Sequence, residues 1–473
     1  MDIDLRDEWL ENSTFDELAV GRSATMRRAL TDADIAGFAA ISGDLNPTHL
    51  DDRFAREEGL AGRTAHGMWS GALVSTVLGT VFPGPGTRYV SQRMDFHATA
   101  RAGDVLEVRV AVCAKDAASG RVTLDCSVRR QDGTLLMDGQ AVVEAPRHKE
   151  RVRKATGLRW HVFDAAAGVR ALIEQAARHA GLRCAVVHPC DAESLRGALD
   201  AARHGLFTPV LVAPRDRLIA TADAAGLDLA GVEIEDVRHS HAAAERAAAM
   251  AADGAVQALM KGSLHTDEVM KAVLSRPELR TGRRISHVFR FDAPAYHKPL
   301  LVTDAAMNIT PTLDDKAHIV QNAIDLALVL GVDLPKVAVL AAVEGVNPKM
   351  ACTLDAAALC KMADRGQIRG AIVDGPLAFD NAISAEAART KGIVSPVAGN
   401  PDILVVPDLV SGNILAKQLE YLGGAVGSGI VLGARVPIAL TSRADGATAR
   451  LASAALAVLV AQSGARASID KIA

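Results

Sequence analysis

Two periodicities divide the chain. Over residues 105–143 apolar and polar positions alternate: Val108, Val110 and Val112 first, then Val122, Leu124, Cys126 and Val128 against Thr123, Asp125, Ser127 and Arg129. A period of two predicts strands with one buried face, and Ser119-Gly120 and Asp132-Gly133 predict hairpins between them. Just ahead lies MWSGALVSTVLGTV (68–81), without a charge on any face, which predicts a helix buried on all sides. The simplest architecture is an antiparallel sheet wrapped round one central helix, an α+β domain over residues 1–145.

Beyond residue 160 the pattern changes to short apolar runs separated by Ala-rich helical stretches. The runs are CAVVHP (184–189), PVLVAP (209–214), AVQALMKG (255–262), PLLVTDAA (299–306), KVAVLAAVEG (336–345), AIVDGP (371–376), DILVVPDL (402–409) and VPIAL (436–440). Strand–helix alternation predicts an α/β fold with parallel sheets covered on both faces. Ligands in such folds bind beyond the carboxyl ends of the strands. Polar residues gather at those ends: Lys261 to Ser263, Thr303-Asp304, Glu344 to Lys349, Asp374-Gly375, Asp408 to Asn413 and Thr441 to Arg443. Residues 161–473 exceed a usual domain, so two lobes with a central cleft are expected. Between the halves, APRHKERVRKAT (145–156) is abruptly basic, and residues 146–160 are expected to be a linker.

Composition narrows the function classes. With only 3% aromatics, the cores must be built from Ala, Val, Leu and Ile. A net charge of −4 argues against general affinity for nucleic acid or membrane surfaces. The six cysteines (113, 126, 184, 190, 352 and 360) form no C-x-x-C pair and lack a matching histidine set, so no metal site is expected. The acidic start, MDIDLRDEWLENSTFDEL, has no apolar signal region, and no run approaches the ~18 apolar residues of a membrane span. A cytoplasmic protein is expected.

The stretch SGDLNPTH sets Asp44 and His49 around an Asn46-Pro47 turn. Hydrating a double bond conjugated to a carbonyl needs a base for water, an acid for the α-carbon and a donor for the enolate oxygen. A carboxylate and an imidazole on one stiffened turn could hold a single water. Gly67 follows His66 where the apolar helix begins, and a helix N-terminus offers free N–H groups. The same residues also suit a plain Asx-turn with a satisfied loop histidine.

SGDLNPTHLDDRFA followed by GRTAHGMWSGALVS resembles the MaoC-like, (R)-specific enoyl-CoA hydratase family over roughly residues 10–145. The resemblance implies a hot-dog fold. It implies Asp44 and His49 as the hydratase dyad with the Gly67 N–H on the thioester, Asn46 in the same turn, and Ser75 lining the site.

In the second half, MKGSLHTDEVMKAVL, VTDAAMNITP, VEGVNPKM, VDGPLAFDNAIS, GNPDILVVPDLVSGNILAK and TSRADGATARLASAAL resemble the phosphate acetyltransferase/phosphate butyryltransferase family over about 160–473. The resemblance implies an outer lobe, 161–292 with 434–473, and an inserted lobe, 293–433. It implies acyl exchange between coenzyme A and inorganic phosphate, both as substrates, with no tightly bound cofactor. Ser442 would steady the tetrahedral intermediate and Arg443 the phosphate, with Lys261, Ser263, Asp304, Asn308, Asp374 and Asn413 as substrate-binding residues. Where the acetyl-type branch carries an aspartate beyond the Ser-Arg pair, this chain has Thr448, Ala449 and Arg450, and Asp445 is the nearest carboxylate. The combined expectation is a bifunctional acyl-CoA enzyme, homo-oligomeric by analogy. The alternative is a hydratase whose second half senses acyl-CoA and assembles the oligomer without turnover.

Overall fold

A computed structural model describes residues 8–155, 163–179, 181–441 and 446–469, with side chains described to Gly464. Two compact units divide it, residues 1–163 and 164–473.

In the first unit β1 (Trp9–Glu11) pairs with β7 (Arg151–Arg153). A five-stranded antiparallel sheet holds β2 (Ser23–Ala29), β3 (Arg88–Phe96), β4 (Val105–Asp116), β5 (Arg121–Arg130) and β6 (Leu135–Glu144) in the order β2-β4-β5-β6-β3. The expected alternation is present: Val108, Val110, Val122, Leu124 and Val128 are buried. They pack with Leu73, Val74, Val77 and Leu78 of the helix Gly67–Thr80. Burying each such side chain contributes roughly 1.5–3 kcal/mol. That helix is covered on one side only. Met68, Ser75 and Gly79 on its other side are exposed, because one curved sheet can cover only one face of the helix.

The segment expected as a linker is partly built into this unit. Arg151–Arg153 forms β7, Lys149 reaches Glu11 and Glu17, and the Asn12 amide donates to the His148 carbonyl at 2.9 Å. The basic run faces the acidic N-terminal segment, so opposite charge holds it there. The remainder, 156–160, lies outside the described residues.

The second unit is a mixed, mostly parallel sheet flanked by helices. Its strands are β8 (Arg183–Val187), β9 (Thr208–Ala213), β10 (Glu233–Asp236), β11 (Ala258–Lys261), β12 (Ser286–Asp292), β13 (Leu300–Thr303), β14 (Lys336–Leu340), β15 (Ile372–Leu377), β16 (Ile403–Val405), β17 (Val426–Leu432) and β18 (Ile438–Ala439). Their order is β10-β9-β8-β11-β18-β17-β12-β13-β16-β14-β15. One parallel stretch runs from β10 to β18 and another from β13 to β15. They are continuous rather than separate sheets because β17 and β12, antiparallel to each other and to their outer neighbours, bridge them. Both faces are dry, and the helix Ala447–Ile469 fills one of them with Ala452, Ala455, Leu456 and Val458. Its stretch Ala447–Gly464 is long and apolar enough to cross a membrane by length and composition, but half of it is buried inside this unit.

Candidate active sites

In the first unit Thr31 caps the helix Asp32–Ser42, which ends at Gly43 with φ 75°, and the chain turns into SGDLNPTH. Asn46 is an N-cap: its side chain accepts from the Thr48 N–H at 3.1 Å and starts the short helix Pro47–Leu50. That turn projects His49 back toward the segment 64–66. The His49 Nδ1 lies 2.7 Å from the Thr64 carbonyl oxygen. A carbonyl only accepts, so Nδ1 carries the proton and the Nε2 lone pair is left available. The exposed Asp44 carboxylate accepts from the Asn46 N–H at 3.3 Å, an Asx-turn that orients it.

Asp44, His49 and His66 each place one polar side-chain atom within 4.8 Å of the others. Atoms at that spacing can share one water. It is also where, among the described residues, carboxylate and imidazole groups meet at a spacing that would suit a metal ion. The His49 and His66 rings lie 3.8 Å apart between centroids. His66 is the N-cap residue of Gly67–Thr80 and makes no side-chain cap, so the first N–H groups of that helix, Gly67 among them, are not taken by it. Ser75 stands two turns further along, about 12 Å from Gly67 at helical rise, on the exposed side. Of the expected residues, Asp44, Asn46, His49 and Gly67 come together and Ser75 lies apart. Thr64 and His66 complete the group without having been singled out. Their signal was present in the sequence, as the T-A-H-G leading into the helix.

In the second unit the described expected residues fall in three groups. At β8 and β11, Gly262 allows the strand ends to touch: a Cβ there would lie 2.5 Å from the Val187 carbonyl oxygen. Ser263 Oγ donates to the His188 carbonyl at 2.8 Å and accepts from the Cys190 N–H at 3.3 Å. Lys261 is buried beside them, its Nζ 3.3 Å from the Gly262 carbonyl. His188 has φ 53°, and burial, aided by the Arg217 charge, holds its imidazole below the usual range.

At β13 and β16, Asp304 is buried and accepts from the Ala306 and Met307 N–H groups at 3.0 Å and from the Asn308 side chain at 2.5 Å. Burial pushes its carboxyl above the ordinary range despite these donors. Asn308 in turn donates to the Ile285 carbonyl, accepts from Arg284, and lines a cavity of about 750 Å³ with His265 and Met307. The helix Leu409–Tyr421 approaches the same loop closely: a Cβ on Gly412 would sit 2.7 Å from the Asp304 carbonyl oxygen. Asn413 donates to the Ala305 carbonyl at 3.3 Å. Thus TDAAMN and PDLVSGN are two sides of one structure.

The third group belongs to β15, where Asp374 lies within the strand, paired with Ala338 of β14, and not at its carboxyl end as expected, because the strand continues through Gly375 and Pro376 to Leu377. The Asp374 carboxylate accepts from the Gly375 N–H at 2.9 Å. Beyond the end of β15, Lys391 bridges Asp380 at 3.0 Å and Glu344 at 3.7 Å. Ser442, Arg443 and Asp445 lie outside the described residues. On either side of them, buried Arg450 donates to the Thr441 hydroxyl at 3.0 Å.

The chain is thus a two-unit protein with clustered polar residues in each unit, and comparison with known proteins gives the families. The description "Phosphate acetyl/butaryl transferase" matches residues 240–458, and "MaoC like domain" matches residues 18–129. A phosphate acetyltransferase of Rhizobium meliloti is 58% identical over 277 residues, 58% of this chain and 88% of that protein. A probable phosphate butyryltransferase of Bacillus subtilis is 45% identical over 302 residues, 62% of this chain and 97% of that protein. The crystal structure of a branched-chain phosphotransacylase from Enterococcus faecalis is 31% identical, covering 59% of this chain and 99% of that one with a TM-score of 0.53. The chain belongs to the phosphate acetyl/butyryltransferase family, and its residues 18–129 match the MaoC like domain.

Proposed function

We propose that the chain is a bifunctional acyl-CoA enzyme of the cytoplasm. Its first unit adds water in syn fashion to a short trans-2-enoyl-CoA, giving the (R)-3-hydroxyacyl-CoA. The observation that carries this reading is the meeting of Asp44 and His49 atoms within 4.8 Å beside the N-terminus of Gly67–Thr80. A water held between the carboxylate and the His49 Nε2 would lose a proton to this pair as its oxygen bonds to the β-carbon. The same proton would then be delivered from the pair to the α-carbon on the same face, which restores the neutral imidazole and the carboxylate. The Gly67 N–H would take the enolate charge on the thioester oxygen. The exposed residues Tyr89, Val90 and Phe96 on edge strand β3 support pairing of two copies through that edge.

The second unit would exchange an acyl group between coenzyme A and phosphate. Identity of 58% with a phosphate acetyltransferase over most of its length supports this reaction. Arg443 would hold phosphate and Ser442 would donate to the tetrahedral intermediate. Lys261, Ser263, Asp304, Asn308, Asp374 and Asn413 would shape the crevice, several of them by holding loops rather than by touching substrate.

The test uses the intact chain. Crotonyl-CoA should lose its enoyl absorbance, and Asp44→Asn should abolish that loss. Acetyl-CoA or butyryl-CoA with arsenate should release coenzyme A steadily, and Arg443→Ala should stop it. Unchanged absorbance with the wild-type chain sinks the hydratase reading. Acyl-CoA binding without arsenolysis replaces the transferase with a sensor.

A further inference from the structure

We propose that His66 is a positioning residue of the hydratase site, joining the carboxylate loop, the dyad imidazole and the oxyanion helix into one rigid unit; this rests on the hydratase reading above. Three contacts carry the inference. His66 Nε2 lies 3.0 Å from the backbone carbonyl oxygen of Asp44, 22 residues away in sequence. Its ring stacks on His49 at 3.8 Å between centroids with an interplanar angle of 32°. Its own carbonyl oxygen accepts the Trp69 N–H at 3.0 Å, in the first turn of the helix that starts at Gly67.

The side chain is only 3% exposed, so these contacts are not loosened by water. Phe38 packs against the ring at 5.1 Å and Trp69 against Phe38 at 6.0 Å, which backs the imidazole with aromatic surface. Since the Asp44 carbonyl can only accept, His66 carries its proton on Nε2. Nδ1 then holds a lone pair, and it is buried with no hydrogen-bond partner among the described residues.

A ring so placed makes the loop around exposed Asp44 dependent on a buried anchor. The far end of the turn is held at Thr64 through Thr48 and His49, whereas the other bonds at Asp44 itself among the described residues are local, Asp44 N–H to Ser42 and Asn46 N–H to the Asp44 carboxylate. Among the described residues, the long-range bond of the Asp44 backbone is therefore to the residue that precedes the oxyanion donor. Displacing a reacting group by about 1 Å costs on the order of 100-fold in rate. His66 is thus expected to act on kcat, through the geometry of Asp44 and His49, and not on binding.

Hydration of crotonyl-CoA by the full-length chain tests this, with His66→Ala and His66→Gln beside the wild type and Asp44→Asn. His66→Ala should lower kcat about 100-fold with KM within about threefold. His66→Gln keeps an N–H donor close to the Nε2 position and should recover about tenfold of that loss. Equal loss in both variants, or a raised KM at unchanged kcat, overturns the assignment. Should His66→Ala fail to fold, nitrogen-15 NMR of the wild-type histidines decides: a protonated Nε2 and bare Nδ1 at His66 support the proposal, and the opposite tautomer sinks it. A wild-type chain that leaves crotonyl-CoA intact rejects the hydratase reading itself, and the same NMR measurement still decides the anchor.

Discussion

The His49 ring is tied to the main chain at Thr64, 15 residues away, by a 2.7 Å hydrogen bond from Nδ1 to the carbonyl oxygen. That bond fixes both the tautomer and the direction of the ring, because the remaining lone pair must lie on Nε2. A histidine held this way is a ready proton acceptor, and its neighbour Asp44 supplies the second group. His49→Gln and Asp44→Asn should each lower crotonyl-CoA hydration by about 10²–10⁴-fold. Arsenolysis by the second unit should be unchanged in both, because residues 1–163 form a compact unit of their own. Assaying both activities on one preparation checks this.

Gly67 allows a sharper test of the helix N-terminus. It is the first residue of Gly67–Thr80, a position where proline is tolerated because the N–H there has no intrahelical partner. Gly67→Pro therefore removes the donor while leaving the helix in place. A Cβ at Gly67 meets the Phe96 ring at 3.4 Å, an ordinary contact, so Gly67→Ala serves as the control for added bulk. Loss of one oxyanion donor is worth about 10²–10³ in kcat. Gly67→Pro should show that loss and Gly67→Ala should not. Equal rates in the two variants would remove the N–H from the mechanism.

The contrast between what could and could not be read in advance follows from burial. Strands β4 to β6 were legible because one face is buried and the other wet, so the period of two shows plainly. The eight apolar runs of the second half were legible because parallel strands are covered on both faces. Strands β12 and β17 were not: SHVFRFD carries buried Ser286, His287 and Arg290, and VGSGIVL opens with glycines. Polar and glycine-rich residues read as loop unless a partner is known. Arg290 pairs with Asp292 on the same strand face at 2.6 Å, and the Ser286 hydroxyl accepts from Asn322 at 2.9 Å, a partner 36 residues away that no local pattern reveals. The dyad was legible as residue types on a turn, whereas His66, its nearest ring neighbour, looked only like the residue before a glycine.

Asp304 shows how a motif residue can serve a site by building it. Its Oδ1 accepts from the Ala306 and Met307 N–H groups, and its Oδ2 from the Asn308 backbone at 3.2 Å and side chain at 2.5 Å. Asp304→Ala would leave these donors buried without acceptors, and should destabilise the second unit by about 3 kcal/mol or more. Asp304→Asn keeps one oxygen acceptor and should lose less. Urea unfolding of the three proteins measures this. A normal midpoint combined with a raised KM for acyl-CoA would instead make Asp304 a direct substrate contact.

His287 contributes to the pH dependence of that unit's stability. It lies on β12 at 0% exposure, its ring 4.4 Å from that of Phe289, and the Leu440 backbone is its hydrogen-bonding neighbour. Burial lowers its pKa from 6.5 to about 4. The unfolded chain therefore takes up a proton as pH falls through about 6.5, while the folded chain stays neutral until about 4. Folding then binds fewer protons in that window, so stability declines as pH drops across it and is unaffected by this group above it. A shift of this size corresponds to about 3 kcal/mol. His287→Leu replaces the imidazole by an apolar side chain that does not titrate. Unfolding free energies at pH 7 and pH 4.5 should differ by about 2–3 kcal/mol less in the variant than in the wild type. The carboxylates shared by both proteins cancel in that comparison, and an identical pH slope would show that His287 is protonated in the folded chain.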